Sequence, residues 1–234
     1  CIRDSVSLFL LASILLSISL IPILLTEIKA PEMDVQESLG LRALWKASPS
    51  GVATIGVSAL ASAGFFGVGT IYAIKAGFSV SETALFMTLF IGFGAASQWP
   101  LGWLSDKIDR RKVIMFCCAS VISICIVLAL FEFTSTILLI LSALVGAFTL
   151  PLYSLGVAQA NDRLEPKQMI SASGTIVLVY SVFAVLGPFT MSYFLKLFEM
   201  FGFMLYMGIV HFIIGVTVLV MMMINQDVDE SEQT

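Results

Sequence analysis

Gly102-Trp103-Leu104-Ser105-Asp106-Lys107-Ile108-Asp109-Arg110-Arg111-Lys112 carries six charged side chains in its last seven positions. Uncharged, mostly apolar runs flank it, 83–104 before and 113–131 after. The stretch therefore reads as a short, mainly cationic loop between two membrane spans. Short loops rich in Lys and Arg are retained on the cytoplasmic side of a bilayer. Placing this loop inside sets the direction of every other span by alternation.

The rest of the chain demands a bilayer. Soluble domains are about 45–50% apolar and about 25% charged; this chain is 59% apolar and 12% charged, with a mean hydropathy of +1.01. A span needs about 20 apolar residues, and seven runs approach or exceed that length: 5–25, 51–74, 83–104, 113–131, 133–160, 169–195 and 200–224. The first six hold no charged residue, and the seventh holds only His211. With 105–112 inside, nine of the twelve Lys and Arg residues fall inside and three (Arg3, Lys75, Lys196) outside. That asymmetry supports the orientation independently of any relative, and it puts the tail, 225–234, in the cytoplasm. The net charge of −4 comes largely from the 26–50 loop and the tail, and no basic patch for nucleic acid is present. Cys117, Cys118 and Cys125 lie in an apolar run and read as buried thiols, with no metal or disulfide spacing. The chain begins Cys1-Ile2-Arg3-Asp4 without a signal-peptide pattern; a processed product or a fragment is expected.

The longest connection, 26–50, divides the chain. Residues 27–37 are polar and read as a linker. Ser38 is placed to cap a short helix on which Leu41, Leu44 and Trp45 share a face, and that helix would lie flat at the interface. The expected organisation is one leading helix over 1–25, a cytoplasmic linker over 26–50, a six-helix bundle over 51–224, and the tail. Gly56, Ala59, Ala63, Gly64 and Gly67 in one span, and Gly92, Gly94, Ala95 and Ala96 in the next, allow close helix approach in lipid. Pro100, Pro151 and Pro188 lie inside spans and can kink them.

Catalytic chemistry has little to stand on. The sequence contains no His/Cys/carboxylate cluster, no phosphate-binding Gly-rich loop and no Ser/His/Asp set, so neither an enzyme nor a bound metal or cofactor is expected. His211 is an intramembrane ionisable residue and on that ground a functional candidate; the plainer reading is a neutral His bonded to a neighbouring helix.

The pattern Gly102-x-x-x-Asp106-Lys107-x-x-Arg110-Arg111-Lys112 resembles the cytoplasmic loop signature of the major facilitator superfamily. One position departs, because Asp109 stands where the signature has Gly, a residue that admits positive φ. The run 152–166, Leu-Tyr-Ser-Leu-Gly-Val-Ala-Gln-Ala-Asn-Asp-Arg-Leu-Glu-Pro, is similar to the end of the tenth helix in bacterial facilitators of the YcaD-like group. In that register the chain corresponds to helices six to twelve of a twelve-helix protein. The resemblance implies an all-α integral membrane fold with seven transmembrane helices, half of the family fold. It implies a multi-pass protein of a bacterial inner membrane, a secondary active transporter of a small solute that works by alternating access.

The charges then acquire an expected role. Asp106, Lys107, Arg110 and Arg111 can meet Asp162, Arg163 and Glu165 if their loops are neighbours, and with Gly102 they would form a latch on the cytoplasmic side. In this fold the substrate site lies near mid-membrane between two halves. Phe65, Phe66, Tyr153 and Tyr180 are mid-span candidates, with Gln98 nearer the inside. Such an apolar, aromatic half-site favours an amphipathic solute over one needing Arg or Lys. The expected partners are the lipid bilayer, a small-molecule substrate and the missing amino-terminal half. The alternatives are a complete seven-helix receptor or sensor, an integral-membrane enzyme resting on His211, and an inactive truncated product.

Overall fold

The computed structural model describes residues 2–25, 39–131 and 133–232. The expected linker over 26–38, with Lys29 and the Ser38 cap, the turn at Glu132 and the end of the tail lie outside the described residues. The chain divides into two units, 1–36 and 37–234. No strand occurs among the described residues.

The first unit is α1 (Ile2–Leu24), 23 residues long. At a rise of 1.5 Å per residue this is about 35 Å, enough to cross a hydrocarbon core of about 30 Å. Three of its hydroxyls are satisfied within the helix: Ser13, Ser17 and Ser19 donate to the carbonyls of Phe9, Ser13 and Leu16. This is how a serine becomes tolerable in lipid.

The second unit comprises α2 (Leu41–Ala47), α3 (Pro49–Lys75), α4 (Val80–Ser105), α5 (Arg110–Leu130), α6 (Ser135–Thr149), α7 (Pro151–Asn161) and α8 (Pro166–Glu232). Pro151 opens α7 directly after Leu150, so α6 and α7 form one span broken at the proline. The helical run α8 contains two spans. Glu199 leaves helical geometry at φ 51°, ψ −133°, and the chain folds back there. A Cβ on Gly202 would collide with the carbonyl of Phe194, so the arms 166–198 and 200–232 lie backbone to backbone at the bend. With α1 this makes seven membrane-length helices among the described residues, an all-α membrane architecture.

Small residues set the packing. Gly146 sits against the backbone of Phe90 and clamps α6 to α4, while a Cβ on Gly187 would lie 2.8 Å from both the Gly64 amide nitrogen and the Leu60 carbonyl oxygen. That second crossing joins α3 to the 166–198 arm. Gly92 and Gly102 have open space where a Cβ would stand, so those two glycines are not used for packing within this unit. Of the three span prolines, Pro100 and Pro188 lie within helices and Pro151 begins one.

Connections are tight and chemically specified. Gly77 (φ 86°) follows α3, where the Phe78 N–H bonds to the Ala73 carbonyl and the Gly77 N–H to that of Ile74. This is the Schellman arrangement, in which glycine takes the left-handed position. Ser79 then caps α4 reciprocally with Glu82. On α2, Gly40 rather than a side chain occupies the cap position. Leu44 is buried against Val52, Ala172 and Ile176, while Leu41 and Trp45 stay exposed.

Two ends result. One carries the turn 76–79, the end of α5, the start of α6 and the bend at Glu199. The other carries 39–48, the charged loop 106–109 and the turn 162–165. The second is called the charged end below.

Candidate functional site

The site at the charged end is built by α4, α5 and α7. Asp109 at φ −52° caps α5, accepting the Arg111 N–H at 2.9 Å. Its φ is negative, so the position where the family signature has Gly needs no glycine here. The cap starts α5 at Arg110 and aims that guanidinium across the bundle. Arg110 Nε donates to Asp162 Oδ2 at 2.9 Å, Nη2 to Asp106 Oδ1 at 3.2 Å, and Nη1 to Ser105 Oγ at 3.0 Å. The Arg110 side chain is 16% exposed, against 67% for Asp106 and 50% for Asp162. One largely buried cation is therefore shared by two wetter carboxylates on two other elements.

Arg111 turns the other way. Its Nη2 and Nε grip the Asp109 carboxylate at 2.9 and 3.1 Å, while its buried Nη1 has no partner among the described residues. The Arg111 hydrogen bond holds the Asp109 carboxyl below the usual aspartate range. Lys107 lies with its ammonium 5.9 Å from the Trp103 ring centre. Arg163 and Glu165 make no ion pair with this cluster.

Asp106, Arg110, Gly102 and Gln98 border one cavity of about 250 Å³ between α4 and α7, with Ser154 on its far wall. Gln98 thus belongs with the charged loop rather than with the aromatic candidates. Tyr153 and Tyr180 meet edge to face at 4.7 Å across α7 and α8. Phe65 is fully buried, stacked on Phe90, while Phe66 is 46% exposed. The structure therefore brings together two pairs and one cavity, and does not gather the five residues in one place.

His211 is buried between the 200–232 arm and the end of α6. Its Nδ1 lies 2.7 Å from the Met207 carbonyl oxygen, which can only accept, so Nδ1 carries the proton. In the neutral ring Nε2 then accepts from Thr149 Oγ1, at 3.1 Å. Both nitrogens are satisfied, as the plainer reading of His211 has it. Cys117, Cys118 and Cys125 are free and buried. Sequence reasoning missed Ser105, whose hydroxyl supports Arg110; its position four residues past Leu101 on the inner face of α4 was the available signal.

These elements define a multi-pass helical membrane protein with a charged, cavity-bearing end. The Major Facilitator Superfamily profile matches residues 51–234, and the chain belongs to that family. It is similar to the uncharacterized MFS-type transporter YcaD of Salmonella arizonae, at 26% identity over 171 residues, covering 72% of this chain and 44% of the relative. The YcaD proteins of Escherichia fergusonii and Escherichia coli O139:H28 match over the same shares at 22% and 26% identity. The chain spans about half the length of the curated relatives it matches. Its relatives and its apolar helices make it a multi-pass protein of a bacterial inner membrane, and membership weighs against the seven-helix receptor.

Proposed function

We propose that this chain is the carboxy-terminal half of a secondary transporter that moves a small solute, with an amphipathic one favoured, by alternating access. It acts without enzymatic chemistry, its charged end and carboxy terminus face the cytoplasm, and an amino-terminal half packs against the six-helix bundle over 51–224. The observation that carries this reading is Arg110 held between Asp106 and Asp162 at the rim of the Gln98 cavity. Exposed ion pairs contribute about 0–1 kcal/mol each. A set of them can therefore hold one state closed and release it, because conformational equilibria are biased by a few kcal/mol. A fully buried pair would lock that end.

The test is Asp106→Asn in the full-length protein, reconstituted in vesicles. The substitution keeps the side-chain shape and removes the charge shared with Arg110. We expect cysteine labelling from the charged end to rise several-fold and the solute flux to fall, with insertion unchanged. Labelling and flux equal to those of the parent protein would reduce the loop to a topology signal.

A further inference from the structure

A second cavity at the charged end, separate from the Arg110 cluster, is chemically prepared for an anion. It measures about 310 Å³ and lies between the end of α2, the start of α3, the end of α7 and residues 221–224 of the second α8 arm. Lys46 and Arg163 border it, and among the described side chains no carboxylate does. Neither cation forms an ion pair among the described residues. Two unpaired cations facing one polar hollow favour a negatively charged guest.

The neutral lining points the same way. Gln159 is 5% exposed and Ser50 is 6% exposed, and both border the cavity. Neither side chain makes a hydrogen bond among the described residues, and neither is among the fully buried polar atoms left without a partner, so the amide and the hydroxyl stay accessible from the hollow. A ligand with several acceptor oxygens would bond both groups in place of water. Ser50 also lies in the first turn of α3. Pro49 there has no N–H, and the first helical bond at this end runs from Val52 to the Ser48 carbonyl at 3.0 Å. The Ser50 N–H is thus free of the helix ladder, at the positive end of a 27-residue helix.

Gly51 makes the juxtaposition possible. A Cβ there would fall 2.8 Å from the Ala160 nitrogen and 2.7 Å from Ser48 Oγ. Without one, α3 begins flush against the end of α7, with Ser48 Oγ donating to the Gln159 carbonyl at 3.2 Å. Met221 and Ile224 supply an apolar border.

The geometry points to a phosphate-binding site: Lys46 and Arg163 provide the charge, Ser50 and Gln159 the hydrogen bonds, and the start of α3 its dipole. Compact, multiply accepting anions suit a helix start with flanking cations. The phosphate belongs either to the headgroup of an anionic phospholipid or to a soluble phosphate. Arg163 accordingly acts here and not in the Arg110 cluster.

The experiment uses the intact protein in phosphatidylcholine nanodiscs. One arm adds phosphatidylglycerol to the discs; the other adds inorganic phosphate to the buffer. Native mass spectrometry reads the bound species, and the unfolding midpoint reads the stabilisation that binding confers. Binding in the first arm alone identifies a lipid headgroup, and binding in the second a soluble phosphate; either supports the site. Lys46→Gln with Arg163→Gln should weaken that binding about tenfold or more, given the strength of charge attraction at a membrane surface. Lys112→Gln with Lys167→Gln removes the same charge from the same end and should change it less than twofold. No binding in either arm, or equal weakening by both pairs, would overturn the proposal. Gln159→Leu leaves the charge unchanged and should weaken binding severalfold; unaltered affinity there would also count against it. These readouts do not require transport, so they stand apart from the alternating-access reading.

Discussion

The two ends of the bundle are held by different physics. At the end away from the charged loop, Phe65 stacks on Phe90 with ring centres 3.5 Å apart and Tyr72 stacks on Phe203 at 4.1 Å. Phe86 lies 5.4 Å from Phe65, and Phe78 closes over Phe86 at 5.9 Å. Aromatic pairs of this kind add about 0.5–1.5 kcal/mol each beyond the area they bury. At the charged end, apolar packing around Leu44 and Ala160 is joined by the polar contact of α4, α5 and α7 through Arg110 and two half-exposed carboxylates, worth about 0–1 kcal/mol apiece. The aromatic end is a lasting clamp. On the proposed alternating-access reading, the Arg110 contact is the one that opens without dismantling the bundle.

The sharpest way to break this contrast is Phe90→Ala. Phe90 is 0% exposed and touches both Phe65 and, through its backbone, Gly146. Emptying such a site costs about 3–5 kcal/mol, and the loss should appear as a lower unfolding midpoint in detergent. Asp106→Asn should shift the same midpoint by less than about 1 kcal/mol, even though it is the variant expected to disturb transport. Equal destabilisation by both would erase the distinction between the ends.

Gly146→Ala probes the clamp from the backbone side. The new methyl would collide with the Phe90 carbonyl, so α4 and α6 must part. Overpacking of this kind costs about 1–3 kcal/mol. The same change at Gly92, where nothing lies within 4 Å, should be neutral or slightly favourable by helix propensity. A midpoint at Gly146→Ala as high as at Gly92→Ala would show that the crossing is looser than drawn.

Glu199 is the one described non-glycine residue with positive φ. Its φ of 51° with ψ of −133° is strained for any side chain, and such positions cost about 1–3 kcal/mol. Glu199→Gly should therefore raise the midpoint, by about 1 kcal/mol after the added freedom of the unfolded chain is counted. A lowered midpoint would mean that the bend is held by the carboxylate and not merely tolerated.

Much of this was legible in advance, because lipid imposes it. Seven apolar runs follow from hydropathy alone, whereas the neighbouring of the 106–112 and 162–165 turns was only a condition in the sequence and is met by the Arg110–Asp162 bond. The partnership of Arg110 with Asp106 and Asp162 was anticipated as part of a larger set. What stayed hidden depends on helix phase. Phe65 and Phe66 are adjacent in sequence yet face about 100° apart on a helix, so one is core and the other surface. Spans apolar on every side offer no periodic clue to which face is which. Arg110 and Arg111 diverge for the same reason, and Arg163 borders the same cavity as Lys46 because of where α7 ends. The Ser79–Glu82 cap was readable from its spacing; Asp109 as a cap was not, since the signature suggested a glycine turn.

The smallest expected effect concerns that cap. Asp109 accepts the Arg111 amide and the Nε and Nη2 donors of the Arg111 side chain, and the latter bonds chiefly hold its carboxyl below the ordinary value of 3.8. A depressed carboxylate stabilises the folded form above its unfolded pKa, and the contribution fades as pH falls through the folded value. The gain should therefore be complete at neutral pH and be lost only below about pH 4. Asp109→Asn keeps a cap acceptor but removes the charge, so its midpoint should converge on that of the parent protein as the pH drops below that range. Asp109→Ala loses the cap as well, which costs about 1 kcal/mol. Asp109→Gly, which restores the family pattern, should fall between them, since glycine caps almost as well as a polar residue but leaves Arg111 without its carboxylate. If Asp109→Gly proved more stable than the parent, Arg111 would have another partner waiting, and its unbonded Nη1 is the atom that would reach for it.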